Sequence, residues 1–348
     1  CEKFNLSGTS QLRVTFTTNR TGKLFVNGVL VTDSTCSLTF FNDVPIKLKA
    51  VPEVGYYFNT SNPLFNGKDS VDLVLSGDRA IDLEFIEGQH LFIQPQITED
   101  VILGKTDLPY LVANDILVDS NALLTINPGI TILMNEGSNI IVRGKLIVQG
   151  SSDSIIEIRP HTDAGVTSWG SIFFDNGAKG SLLKQVKIVD GSSIPGNSNA
   201  IGTISAYNTD ITMDSISITS VTFPVFLQKG NFTISHCTFH CKATCDMVNV
   251  KSGTAHINQC VFYGNNAANT DAIDYDNLSY GTVKDCYILD FTGRNSDGID
   301  LGEGSKDILI EGNFINNCSD KGVSVGQRSS VTLINNIITH CAMGVAIK

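Results

Sequence analysis

Ile273-Asp274-Tyr275, Ile299-Asp300-Leu301, Val323-Ser324-Val325 and Val345-Ala346-Ile347 repeat one apolar–variable–apolar triplet through the C-terminal part of the chain. The same triplet runs back through Val248-Asn249-Val250, Val225-Phe226-Leu227, Ile204-Ser205-Ala206 and Ile172-Phe173-Phe174. Some ten residues after each comes a second pattern, apolar-x-x-Cys/Asn-x-apolar. It is clearest in Ile234…Cys237…Phe239, Ile257…Cys260…Phe262 and Val283…Cys286…Ile288, and continues in Ile310…Asn313 and Leu333…Asn336. Apolar positions alternate by two, which is strand spacing, and the unit recurs about every 21 to 32 residues, which is a solenoid period. Each coil therefore stacks on the last through parallel backbone hydrogen bonds about 4.8 Å apart. Residues distant in sequence fall into vertical files. Cys237, Cys260 and Cys286 are expected in one file, continued by Asn313 and Asn336, with Cys318 and Cys341 in another. Cysteine fills such a column as a small hydrophobe, so reduced thiols are expected there.

The central residue of each triplet points away from the core. These residues are Phe173, Ser205, Phe226, Asn249, Asp274, Asp300, Ser324 and Ala346. Asp274 and Asp300 are neighbours in this file, with Asp271, Asp276, Asp297 and Asp320 in the flanking segments. Two carboxylates this close repel, so one takes up a proton or a cation sits between them. Asp274, Asp276 and Asp300 are therefore candidate Ca²⁺ ligands, since Ca²⁺ takes oxygen donors. A pair about 5 Å apart is also the spacing of a retaining glycosidase, with Asp274 and Asp300 as the catalytic candidates. The plainer reading is a polar solenoid surface, with Asp beside Gly as ordinary turn chemistry. Asn249, Asp271, Asp297 and Ser324 are candidate ligand-binding residues. Phe173 and Phe226, read as exposed rings, are candidate sugar-stacking platforms.

The 348 residues are 42% hydrophobic and 17% charged, enough apolar material for a core and too little charge for disorder. The net charge of -11 argues against nucleic-acid binding and is compatible with neutral or cationic ligands. No apolar run is long enough for a transmembrane helix. Cys241 and Cys245 either bridge or bind a metal, but no Cys-x-x-Cys pair supports a zinc site.

Residues 11–88 alternate apolar and polar side chains in short runs, such as Leu12-Arg13-Val14-Thr15-Phe16 and Ile81-Asp82-Leu83-Glu84-Phe85. Asn27-Gly28 marks a hairpin turn. The order of these runs, with Val44-Pro45-Ile46-Lys47-Leu48-Lys49-Ala50 and Pro52-Glu53-Val54-Gly55-Tyr56-Tyr57-Phe58, resembles the divergent InlB-type B repeats of bacterial surface proteins. Such modules are spacers or stalks. The first ten residues read as a tether and 89–105 as a linker. Cys1 at the start resembles the lipidated cysteine of a processed bacterial lipoprotein; a boundary falling on Cys is the other reading. The lipoprotein reading implies a membrane held through a lipid anchor on Cys1 and a place on the outer face of the cell envelope.

Leu123-Leu124-Thr125-Ile126-Asn127-Pro128-Gly129 and Ile141-Val142-Arg143-Gly144-Lys145-Leu146-Ile147-Val148, followed by the triplet repeat, are similar to the opening coils of the pectate-lyase-like superfamily. The resemblance covers about residues 100–348 and implies an all-β chain: a right-handed parallel β-helix solenoid over 106–348 behind a small β-rich module. It fixes no activity, because this architecture carries lyases, hydrolases, epimerases, adhesins and stalks. Asn269-Thr270-Asp271 and Asp297-Gly298-Ile299-Asp300 resemble polygalacturonase strings, but the His-Gly and Arg-x-Lys strings of those enzymes are missing after residue 300. No arginine stands in the acidic column as pectate lyases require. The Tyr-Gly-x-Asp-Pro string of alginate epimerases is absent. The expected function is a non-catalytic surface β-helix that binds a polysaccharide or docks an envelope protein. A Ca²⁺-dependent lyase or a hydrolase using Asp274 and Asp300 is the alternative. The chain stops at Lys348 within a rung, so further coils or a covering partner are expected beyond it.

Overall fold

A computed structural model describes residues 11–53, 56–59, 64–65 and 69–348. The chain divides into two compact units, Cys1–Leu91 and Phe92–Lys348. Cys1, and with it the expected lipid anchor, lies outside the described residues.

The first unit is built of short strands. Gln11–Thr18 lies between Thr35–Phe41, antiparallel, and Arg79–Leu83, parallel. Gly22–Val26 pairs with Val29–Val31 and with Ile46–Pro52, which in turn pairs with Ser70–Leu73. The Asn27-Gly28 turn closes the hairpin with both residues at positive φ, 51° and 81°, as a tight two-residue connection between right-twisted strands demands. Every second side chain of Gln11–Thr18 and Ile46–Pro52 faces inward, and these build a core of Leu12, Val14, Phe16, Ile46, Leu48 and Ala50.

The second unit is one continuous parallel system that begins at Leu91–Phe92 and ends at Met343–Ile347. Its helical content among the described residues is a single 3₁₀ turn, Thr162–Ala164. Pairing starts earlier than expected. Gln96–Ile97 already pairs with Leu117–Val118, and Val101–Leu103 with Leu124–Ile126. Residues 89–105, expected as a linker, thus hold opening strands of the solenoid. Their short apolar runs, interrupted by Pro95, Glu99 and Asp100, carry little period-two signal.

Each later coil has three strand faces. The triplets form the first, and they stack without slippage: Val248 on Ile273, Ile273 on Ile299, Ile299 on Val323 and Val323 on Val345. Ala255–Asn258 and its equivalents form the second face, Val261–Tyr263 and its equivalents the third. Between the second and third faces runs the expected Cys/Asn file. The Cys237 N–H donates to Cys260 Sγ (3.4 Å), the Cys286 N–H to Asn313 Oδ1 (2.9 Å), and the Asn313 N–H to Asn336 Oδ1 (3.0 Å). The cysteines of this file are free thiols, as are Cys318 and Cys341; Cys241 and Cys245 form a disulfide. The residue before the file position is repeatedly left-handed, as at His236, Gln259, Asp285, Gly312 and Asn335, which is how the chain turns the corner in one residue.

Candidate functional site

Inward and outward alternate on the first face as the triplets dictate, but outward does not mean exposed. Phe173 and Phe226, expected as exposed rings, are 5% and 4% exposed, and Ser205 and Ser324 are fully buried. At Ser205, Phe226 and Asn249 the residue three positions upstream folds back onto the outward side chain. The Ser205 hydroxyl donates to the Gly202 carbonyl and accepts the Gly202 N–H. Phe223 stands edge-on to Phe226, ring centres 6.3 Å apart. Phe173 and Phe226 are therefore not the sugar platform expected of them, because their rings are covered.

That i, i−3 relation builds the acidic cluster. In the three coils that follow Phe226 the upstream residue is Asp246, Asp271 and Asp297, and in the fourth it is Lys321. Two files run side by side: Asp246, Asp271, Asp297, Lys321; and Asn249, Asp274, Asp300, Ser324. Asn249 ties them together, its Nδ2 donating to Asp246 Oδ2 (2.9 Å) and Asp274 Oδ2 (2.6 Å). Asp271 Oδ1 accepts the Asp297 N–H (2.6 Å), and Asp297 Oδ1 accepts the Lys321 N–H (2.8 Å). Lys321 Nζ closes the cluster on Asp320 and lies 3.5 Å from Asp297. Asp246 escaped the sequence reading. Its signal is the recurrence of Asp-x-apolar-Asn/Asp-apolar at 246–250, 271–275 and 297–301, with Lys-x-apolar-Ser-apolar at 321–325.

Burial and mutual repulsion set the charge state. Burial, then the carboxylates of Asp276, Asp246, Asp300 and Asp271, push Asp274 up to about 9. Burial pushes Asp271 up to about 8 against the Asp297 N–H, which acts the other way. Burial also raises Asp246 and Asp297. Near neutrality Asp274 and Asp271 are therefore acids rather than carboxylates, and each can donate a hydrogen bond. Three buried oxygens in the second file, Asn249 Oδ1, Asp300 Oδ1 and Ser324 Oγ, have no hydrogen-bond partner within the protein. Groups of this kind cost free energy unless something binds them.

The expected Ca²⁺ ligands do not converge. Among the described residues no three His, Cys, Asp or Glu side chains are grouped closely enough to hold a metal ion, and Asp276 pairs instead with Lys251 Nζ at 3.4 Å. Beside the cluster, an open cleft of about 720 Å³ is lined by Asn269, Arg294, Asn295, Ser319 and Asp320. The Asn295 side-chain amide donates to Asn269 Oδ1 (2.8 Å), an amide rung on the cleft wall.

Lys321 is the cation that the cluster depends on. Its side chain is only 13% exposed and that of Asp297 only 7%. Lys321→Ala should cost about 2–4 kcal/mol, because it leaves Asp297 and Asp320 without their counter-ion. Thermal melts at pH 7 beside Lys321→Arg, which keeps the charge, check this; equal melting temperatures for Lys321→Ala and the parent would overturn it.

A model of the right-handed β-helix region family matches residues 225–348. The solenoid is accordingly a right-handed parallel β-helix, preceded by small sheets. Over 100 residues, 29% of the chain, the sequence is 31% identical to Protein bark beetle of Drosophila melanogaster; the match spans 3% of that relative's length. Among solved structures, a double mutant of the periplasmic alginate epimerase AlgG aligns with a TM-score of 0.43 at 14% identity, over 76% of this chain and 73% of that one. A second structure of that epimerase aligns at a TM-score of 0.33 and 10% identity, over 76% and 83%.

Proposed function

We propose that this chain is a non-catalytic β-helix protein of the cell surface that binds a glycan at the acidic first face and its adjoining cleft. One observation carries the reading. Asp271, Asp274 and Asp300 are half-buried rather than covered on the first face, and burial keeps Asp271 and Asp274 protonated. Rigid stacked strands hold such groups in place, so little ordering cost is added on binding. Sugar hydroxyls are both donors and acceptors and suit protonated acids beside the Asn269 and Asn295 amides of the cleft. Net charge of -11 and a cluster with one lysine disfavour a polyanion, so the ligand class is a neutral or amino-sugar glycan. An envelope partner for the solenoid, and a membrane tether at the N-terminus, belong to the same surface reading.

Calorimetry with a glucosamine hexasaccharide, and with polygalacturonate as the anionic control, tests it. The amino-sugar oligomer should bind and polygalacturonate should not. Asp274→Asn and Asp300→Asn should each weaken binding by about tenfold, the effect of losing one hydrogen bond of about 1.4 kcal/mol. Unchanged affinity in both variants sinks the proposal.

A second reading, hydrolysis, is favoured by one feature. Asp274, raised to about 9, is stacked directly on Asp300, with strand spacing of about 4.8 Å. An acid beside a second carboxyl at this separation matches the retaining arrangement, Asp274 giving the proton to the leaving oxygen and Asp300 attacking the anomeric carbon. Reducing-end release abolished in both variants would support turnover over binding alone.

A further inference from the structure

The third face of the solenoid carries the exposed aromatic rings that the first face lacks. From Ser217–Thr219 through His240, Tyr263, Tyr287 and Phe314 to Ile337–Thr339, six successive coils stack in register here. Two side chains per coil point outward, and these twelve positions contain no Asp, Glu, Lys or Arg. In a chain of net charge -11 such a stretch is unusual for surface. Tyr263 is 41% exposed and Tyr287 55%. His240 and Tyr263 lie one above the other, ring centres 4.7 Å apart and only 6° from coplanar. Burial lowers the His240 pKa, which keeps its ring neutral. Tyr287 continues the platform toward Phe314, 6.1 Å away.

We propose that this uncharged aromatic face binds a neutral polysaccharide segment, the apolar C–H faces of successive sugar rings lying on His240–Tyr263 and on Tyr287. Size separates this occupant from a protein. Six coils at about 4.8 Å, three residues wide at about 3.3 Å each, present roughly 290 Å². A stable protein interface needs about 800 Å² on each side. A short run of sugars needs no more than the platform offers. The rings supply flat apolar contact, and the two tyrosine hydroxyls with Thr238 and Asn316 supply polar groups at its edges. This face is separate from the acidic one, and the inference does not rest on it.

The test is calorimetric titration of the 348-residue chain with cellohexaose. Wild type should saturate. Tyr263→Ala and Tyr287→Ala should each weaken binding about tenfold, and the double variant should abolish it. Tyr263→Phe, which keeps the ring, should bind within about threefold of wild type. Cellohexaose binding that Asp300→Asn weakens and both tyrosine variants leave intact would belong to the acidic face and overturn this inference, so failure of the acidic-face reading and failure of this one are told apart. No saturable binding by wild type overturns the inference. So does a folded double alanine variant, checked by circular dichroism, that keeps wild-type affinity. Sedimentation showing that the double variant changes oligomeric state rather than cellohexaose affinity would make the face a protein contact and also overturn it.

Discussion

Asn313→Ala is expected to cost about 2–6 kcal/mol, because it strips two buried backbone groups of their partners at once. Asn313 is 1% exposed. Its Oδ1 accepts the Cys286 N–H at 2.9 Å, and its Nδ2 donates to the Val283 carbonyl and to Asn336 Oδ1, each at 2.9 Å. One amide thus joins three successive coils. Alanine leaves the Cys286 N–H and the Val283 carbonyl buried with no water to replace the bonds. Coils touch only their neighbours, so the damage should be local. Hydrogen exchange should accelerate first at 283–288 and 310–316, ahead of the N-terminal coils. Asn313→Cys is the informative companion. Cys260 Sγ occupies the equivalent position and accepts the Cys237 N–H, so a thiol there should recover part of the loss. Urea melts measure both; a shift below about 0.5 kcal/mol for Asn313→Ala, the level of an ordinary surface substitution, would falsify the bridging role.

Raising the pH from 5 to 8 should lower the melting temperature of the solenoid, on the order of 10 °C. The sign follows from proton counts. Asp271 and Asp274 are raised from an ordinary 3.8 to about 8 and about 9. Between 3.8 and those values the folded chain holds protons that the unfolded chain has released. The contribution of these two acids is therefore greatest below 3.8, falls as pH rises through that window, and levels above about 9. Asp214 works oppositely. Burial raises it, but bonds from Lys184, His236 and Ser215 outweigh this and hold it low, so its contribution is lost only on acidification below its ordinary 3.8. It does not touch the window between pH 5 and 8. Asp274→Asn and Asp271→Asn should each flatten the slope and melt higher than the parent at pH 8, since the amide is neutral at every pH. A melting temperature that is constant or rises from pH 5 to 8 in the parent would contradict the assigned charge states.

Much of the architecture was legible in the residues. The triplets and the Cys/Asn positions determine which side chains stack, and Asp274 over Asp300 follows from counting alone. The lower reaches of the solenoid were harder. Gln96–Ile97 and Val101–Leu103 are two and three residues long, too short for alternation to register. The aromatic face was overlooked for a related reason. Tyr263 and Tyr287 sit at different positions of their three-residue strands, so they look unrelated until the coils are superposed.

What the amino-acid order determined by itself is the period: strand spacing within a coil, equivalence between coils, and hence the files. That is local information, carried by side-chain alternation and by a turn that needs one left-handed residue per corner. What only the tertiary structure decided is which of the outward residues meet solvent. Alternation tells inside from outside but not covered from bare. Whether Asp246 closes over Asn249, or Phe223 over Phe226, depends on the path of the turn entering the strand. That path buries the acidic pair deeply enough to protonate it and leaves Tyr263 and Tyr287 in the open.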